Sequence, residues 1–211
     1  MNRSKQSQSL SRRLAGAITE FFTAPASAKP LAVFRIGLAV VLLAQAFSLA
    51  ANVPDLFGRQ GLIHWGITYN AKNPSPMAWS YPHLGWFSDL FAAVGLSETA
   101  GLYAVFGLYM AALFFLLIGL GSRAACVMVF VLQLILSNSS PATVYGVDSF
   151  ARVSLFYALW MPLGAAYSVD AWLGRGGAAN SVAARVGVRM LQIHLAMMYL
   201  ASGIEKGMGA Q

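Results

Sequence analysis

Charge is what this chain of 211 residues has least of. Only 10% of its residues are Asp, Glu, Lys or Arg, with seven acidic side chains against fourteen basic ones. A soluble domain is usually about a quarter charged. The shortfall, with 58% hydrophobic residues, excludes a disordered chain, a coiled coil, a collagen-like repeat and a soluble globular enzyme. Cysteine is almost missing too. Cys126 is the single one, which rules out a disulfide framework or a cysteine zinc site. Histidines number three, without H-x-x-x-H spacing, so no metal centre is expected. Glycine-rich phosphate loops and nucleophile elbows are absent. No basic stripe is interleaved with aromatics, so no nucleic-acid partner is expected.

What is present is long apolar runs. Crossing a hydrocarbon core of roughly 30 Å takes about 20 apolar residues as a helix, and backbone in lipid must satisfy its own hydrogen bonds. Five runs qualify, at residues 31–51, 100–121, 123–139, 149–168 and 186–204. The expected fold is an all-α, multi-pass transmembrane bundle.

Lysine and arginine placement tests that set. Arg3, Lys5, Arg12, Arg13 and Lys29 precede the first run, Arg123 falls between the second and third, and Arg175 and Arg185 between the fourth and fifth. The other side receives Arg59, Lys72 and Lys206. By the positive-inside rule the N-terminus is cytoplasmic and the C-terminus outside. The net charge of +7 thus belongs to loop placement and anionic headgroups.

Residues 1–30 read as a cytoplasmic tail. Residues 1–9 are polar and read as disordered. Residues 9–22 carry Leu10, Leu14, Ala17, Ile18 and Phe21 at helical spacing, which fits an amphipathic helix on the inner membrane face or a fraying helix. Between the first two runs, residues 52–99 hold Phe57, Trp65, Tyr69, Trp79, Tyr81, Trp86 and Phe87 among prolines. An aromatic belt at the outer headgroups and a cap over an intramembrane cavity are both open.

Ionisable groups within spans are costly and are therefore candidate functional residues. Arg35, near the inner end of the first run, can snorkel. Asp148 and Arg152 stand at i and i+4, the orientation that favours pairing on a helix. His194 lies about half-way along the fifth run, as a packing residue or a proton relay. Gln192, Tyr199 and Lys206 recur every seven residues and share one helix face. A lysine there in an apolar pocket could act as a base; at the interface it would mark the membrane edge.

Several stretches then combine. LAVFRIGLA (31–39), GLGSRAACVMVF (119–130), YGVDSFARVSLFYALWMPLGAAYSVD (145–170) and MMYLASGIEKGMG (197–209) together resemble the vitamin K-dependent gamma-carboxylase family. Its bacterial relatives carry the horizontally transferred transmembrane (HTTM) domain. The resemblance runs from about residue 30 to the end of the chain. In the carboxylase, the lysine of a Y-x-x-x-G-x-x-K segment deprotonates vitamin K hydroquinone. The oxygenated product then takes a proton from a peptide glutamate, and carbon dioxide adds to the carbanion. That lysine matches Lys206, with Tyr199 and Gly203 at the flanking positions and Glu205 where the carboxylase has a second lysine. The resemblance implies a quinol-type cosubstrate such as vitamin K hydroquinone, a secreted protein substrate and an outward-facing site. It also implies further membrane helices beyond Lys206, so the chain is expected to be truncated. The alternative role is a non-catalytic scaffold or maturation partner for a secreted protein.

Overall fold

A computed structural model describes residues 2–62, 82–140 and 144–209. The described chain is mostly helical. Its elements are α1 (Asn2–Thr23), β1 (Ala26–Ser27), α2 (Lys29–Leu49), a 3-10 turn (Ala50–Asn52), α3 (Val53–Phe57), α4 (Gly85–Ala93), α5 (Glu98–Ile118), α6 (Ser122–Ser139), α7 (Gly146–Ala158), α8 (Val169–Trp172), β2 (Asn180–Ser181) and α9 (Val182–Gly207).

Three helical stretches are long and apolar enough to cross a membrane: Lys29–Phe57, Glu98–Ile118 and Ser122–Ser139. Local chemistry sets their ends. Pro30 opens α2 in the first turn, where its missing N–H would have had no helical acceptor. Ser97 caps α5 by accepting from the Ala100 N–H at 3.2 Å. Gly119 ends that helix in the left-handed region at φ 72°, which glycine adopts without a Cβ clash. Three residues later α6 begins and packs back along α5.

Packing follows from side-chain size. Leu42, Leu113, Cys126, Val129 and Leu155 are fully buried where α2, α5, α6 and α7 meet. On the outside of the same helices, Val40, Val41, Phe47, Phe114, Phe115, Met128 and Val131 are exposed. Helices apolar on both faces, around a core that also holds polar side chains, suit a hydrocarbon surround.

Three boundaries depart from the sequence reading. Helix α1 begins at Asn2, so residues 2–9 are helical, because extending an existing helix costs far less than nucleating one. The run at 149–168 is helical only to Ala158; Trp160 to Tyr167 form turns around Pro162, which cannot donate to a helical ladder. Helix α9, with 26 residues, outruns the expected 186–204 at both ends. In the long loop, Trp65, Tyr69, Trp79 and Tyr81 lie outside the described residues. Of its other aromatics, Phe57 is buried and Phe87 half-buried.

Contacts sort the chain into two ends. At one, Leu84 N–H donates to Ser139 Oγ at 2.8 Å and Asn138 Nδ2 to Pro82 O at 3.0 Å, beside the start of α7. At the other, Asp170 N–H donates to Gly119 O at 3.0 Å. Here β1 also pairs antiparallel with β2, Ala26 opposite Ser181 and Ser27 opposite Asn180. Helix α9 starts at this second end and packs its first half on α1, α2 and α7. At Gly187 the packing is close: a Cβ would meet Met161 Cγ at 2.9 Å and Leu31 Cδ1 at 3.3 Å.

Candidate functional site

Two polar centres are buried in the bundle, one at each end. The first is built on Asp148, which is 3% exposed. It stands at the third position of α7, and its Oδ2 accepts from the Tyr145 N–H at 2.8 Å. That carboxylate satisfies an orphan N–H of the helix start and sits at the positive end of the helix dipole. Two glutamines from other helices complete it. Gln45 Nε2 of α2 donates to Asp148 Oδ1 at 2.7 Å, and Gln133 Nε2 of α6 donates to the same oxygen at 3.1 Å. The Tyr109 hydroxyl of α5 then donates to Gln133 Oε1. One carboxylate therefore ties four helices together. Beside it lies a cavity of about 30 Å³ lined by Gln45, Tyr109, Gln133, Ser137 and Asp148. That holds a guest of water or small-cation size, whereas a ring-sized ligand needs roughly 300 Å³ or more.

The expected pair of Asp148 with Arg152 does not form. Both Asp148 oxygens are taken by amide donors, and Arg152 Nε is buried with no hydrogen-bond partner. Arg152 stands one turn along α7, half-buried.

The second centre is built on Arg35. The guanidinium does not snorkel; it is 1% exposed. Its Nη1 donates to Leu163 O at 2.7 Å and its Nη2 to Tyr167 O at 2.6 Å. Those carbonyls belong to the turns that follow α7, where no helical N–H is available for them. Tyr167 is the one described non-glycine residue with a left-handed φ, 46°, a conformation that costs about 1–2 kcal/mol and is held there by this contact. Asp170 sits close by. Its Oδ1 accepts from the Gly121 N–H at 2.8 Å, and its Oδ2 accepts from the Ser122 N–H and Oγ, both at 2.7 Å. Desolvation raises the Asp170 pKa, but the three hydrogen bonds and the nearby Arg35 charge outweigh it and hold the carboxyl below its ordinary value.

The fifth run shows a third arrangement. His194 Nδ1 lies 3.3 Å from the Tyr157 hydroxyl, with the rings edge to face, so the histidine links α9 to α7. Gln192 accepts from Arg189 Nη1 at 2.8 Å, and the Arg189 guanidinium lies 3.7 Å from the centre of the Phe21 ring. Tyr199 is 73% exposed and Lys206 is exposed. Gln192, Tyr199 and Lys206 do fall on one continuous helix. They share no described cavity, and Lys206 is not brought to Asp148 or Arg35.

Comparison with known protein families, with curated proteins and with solved structures returned no match. Among the described residues, no group of three or more His, Cys, Asp or Glu could hold a metal ion. The chemistry of this chain therefore rests on its own geometry.

Sequence pattern assigns Tyr109, Gln133, Ser122 and Asp170 no role of their own, and the last two enter only within the family-like stretches 119–130 and 145–170. Gln133 had a signal available, as an amide inside an otherwise apolar run. Asp170 lies just outside a run, where nothing in the sequence pairs it with a glycine 49 residues earlier.

Proposed function

We propose that the chain is a five-crossing integral membrane protein similar to the HTTM and gamma-carboxylase proteins, in the plasma or inner membrane, N-terminus inside and C-terminus outside. The two-ended contact pattern supports the count. Tyr145 and Asp148 lie with the C-terminal halves of α2 and α6, whereas Leu163, Tyr167 and Asp170 lie with Arg35 and Gly119. The segment joining them passes from one end to the other although its helix is short. Helix α9 then starts at the Arg35 end and spans about 39 Å at 1.5 Å per residue. Cysteine-accessibility labelling tests this topology, and labelling of Arg123→Cys and Lys206→Cys from the same side would refute it.

For activity, the reading is carboxylase-like chemistry on a secreted polypeptide with a quinol-type cosubstrate and Lys206 as base. One observation carries it: α9 is a single helix that sets Gln192, Tyr199 and Lys206 along one face, open to a lipid-soluble cosubstrate arriving through the bilayer. The test is quinol-dependent carboxylation or epoxidation by membranes holding the chain. Loss of turnover in Lys206→Ala, with unchanged protein level, supports the reading; unchanged turnover removes Lys206 from the mechanism.

A second reading has its own support. Met197, Leu200, Ile204 and Met208 are exposed along the side of α9 turned away from Lys206, a face suited to packing on other membrane helices. The chain would then be a non-catalytic scaffold or maturation partner, with Lys206 marking the outer interface. Complementation that survives Lys206→Ala, together with a co-purifying membrane or secreted protein, favours this role.

A further inference from the structure

At the Arg35 end, the segment after α7 folds back against the start of α6 and encloses a cavity of about 370 Å³. Its wall carries Arg123 from α6, Arg175 from the loop after α8, and the backbone of Gly164, Gly176 and Gly177. Both arginines are exposed, and neither guanidinium has a hydrogen bond or ion pair to a described residue. Asp170 also lines the cavity, but its two oxygens are turned onto the Gly121 and Ser122 donors and its charge is offset by Arg35. The opening is therefore cationic, with ten N–H donors on two forked groups.

Its surroundings say where an anion would come from. Trp160, Tyr167 and Trp172 are 71%, 59% and 84% exposed, and Leu173 is 43% exposed. These residues flank the lining residues Met161 and Asp170 in sequence, and tryptophan and tyrosine concentrate at the headgroup level of a bilayer, so this end of the bundle suits the plane of lipid phosphates. Close backbone approach keeps the pocket in shape. A Cβ on Gly176 would lie 2.2 Å from Gly164 O, and one on Gly164 would lie 3.0 Å from Asp170 Oδ2 and 3.1 Å from Ser122 Oγ.

We propose that this cavity binds the phosphate of an anionic phospholipid headgroup, held by Arg123 and Arg175, with the acyl chains lying along the exposed aromatic rim. The proposal rests on the membrane reading above only in placing this end at a headgroup plane. It is independent of which side that plane faces and of any chemistry at Lys206.

The test uses the full chain purified in detergent, with bound lipid counted by native mass spectrometry. Short-chain phosphatidylglycerol, short-chain phosphatidylcholine and inorganic phosphate are titrated separately. Phosphatidylglycerol should bind tightest, and Arg123→Gln with Arg175→Gln should weaken it roughly thirtyfold, five- to sixfold for each arginine. Arg12→Gln with Arg13→Gln removes equal charge outside the cavity and should change binding less than twofold. If the glutamine pair unfolds, Arg123→Lys with Arg175→Lys replaces it, and retained preference for phosphatidylglycerol within about threefold supports the site. Equal binding of the two lipids, equal loss from the two arginine pairs, or displacement by inorganic phosphate at matched concentration would overturn it. Recovery of the chain in alkali-washed membranes checks the membrane placement separately.

Discussion

Gln45 Nε2 donates to Asp148 Oδ1 at 2.7 Å, joining α2 to the first turn of α7 across 103 positions of sequence. The contact sits inside a bundle whose outer surface is apolar, so its donors have few alternatives to it. Removing the acceptor strands them: Asp148→Ala leaves the Gln45 and Gln133 amides and the Tyr145 N–H without their partner. We expect a loss of about 2–3 kcal/mol, and about 0.5–1 kcal/mol for Gln45→Ala, the scale of a single interhelical bond in a membrane. Denaturant titration in mild detergent ranks the two; equal effects would mean that Asp148 is not the hub.

Gly119 is the pivot of the opposite end. A Cβ there would stand 2.4 Å from Ser168 Cβ and 2.6 Å from Arg35 Nη1, at a φ of 72°. Gly119→Ala should therefore cost about 2–4 kcal/mol from backbone strain and crowding together. Gly107, where a Cβ meets nothing within 4 Å, is the matched control, and Gly107→Ala should be neutral or slightly stabilising. Melting temperatures of the two variants decide it.

Asp170 gives the fold a pH dependence. Its folded pKa is depressed, so the stabilisation is complete above the unfolded carboxylate value of about 3.9. It is lost as pH falls through the folded value. Wild type should lose stability more steeply than Asp170→Asn between pH 5 and strongly acidic conditions, and the two should converge at the acid end. At pH 7 the variant should be less stable by about 1 kcal/mol, the usual worth of a helix cap. Parallel curves would show that the carboxylate charge does not matter.

Cys126 supplies a quiet background for labelling. It is fully buried, with Sγ 3.8 Å from Leu155 O, so a membrane-impermeant maleimide should leave the folded wild-type chain unmodified. Lys206→Cys should label in intact cells and Arg123→Cys only after permeabilisation. Modification of wild type before unfolding would contradict the burial of Cys126.

The helices of the three apolar stretches were readable because composition and length suffice where lipid is the solvent. The end of α7 was harder. Residues 149–168 are apolar enough to continue a helix, and the break depends on Pro162 together with Arg35, a donor supplied from far along the chain. The same limit applies to the polar centres. Asp148 and Arg35 stood out as charges at depth, whereas their partners are neutral amides and backbone carbonyls that pattern cannot pair. Arg152 was paired with Asp148 from helical spacing alone, and two glutamines from other helices displaced it.

The grip of Arg35 on Leu163 O also has a consequence for synthesis. Donor and acceptor are 128 residues apart, so at 5–20 residues per second the guanidinium waits roughly 6–26 s for its carbonyls. During that interval water and lipid headgroups are the partners left to it, and α2 is expected to sit shallower until the carbonyls arrive. With Arg35 intact, nascent chains arrested before residue 163 should leave an Ala32→Cys thiol, one turn away on α2 and buried in the finished fold, open to aqueous maleimide, and chains released past residue 170 should close it. Helix α2, the first of the three long apolar stretches to be made, thus reaches its final depth only after the segment that follows α7.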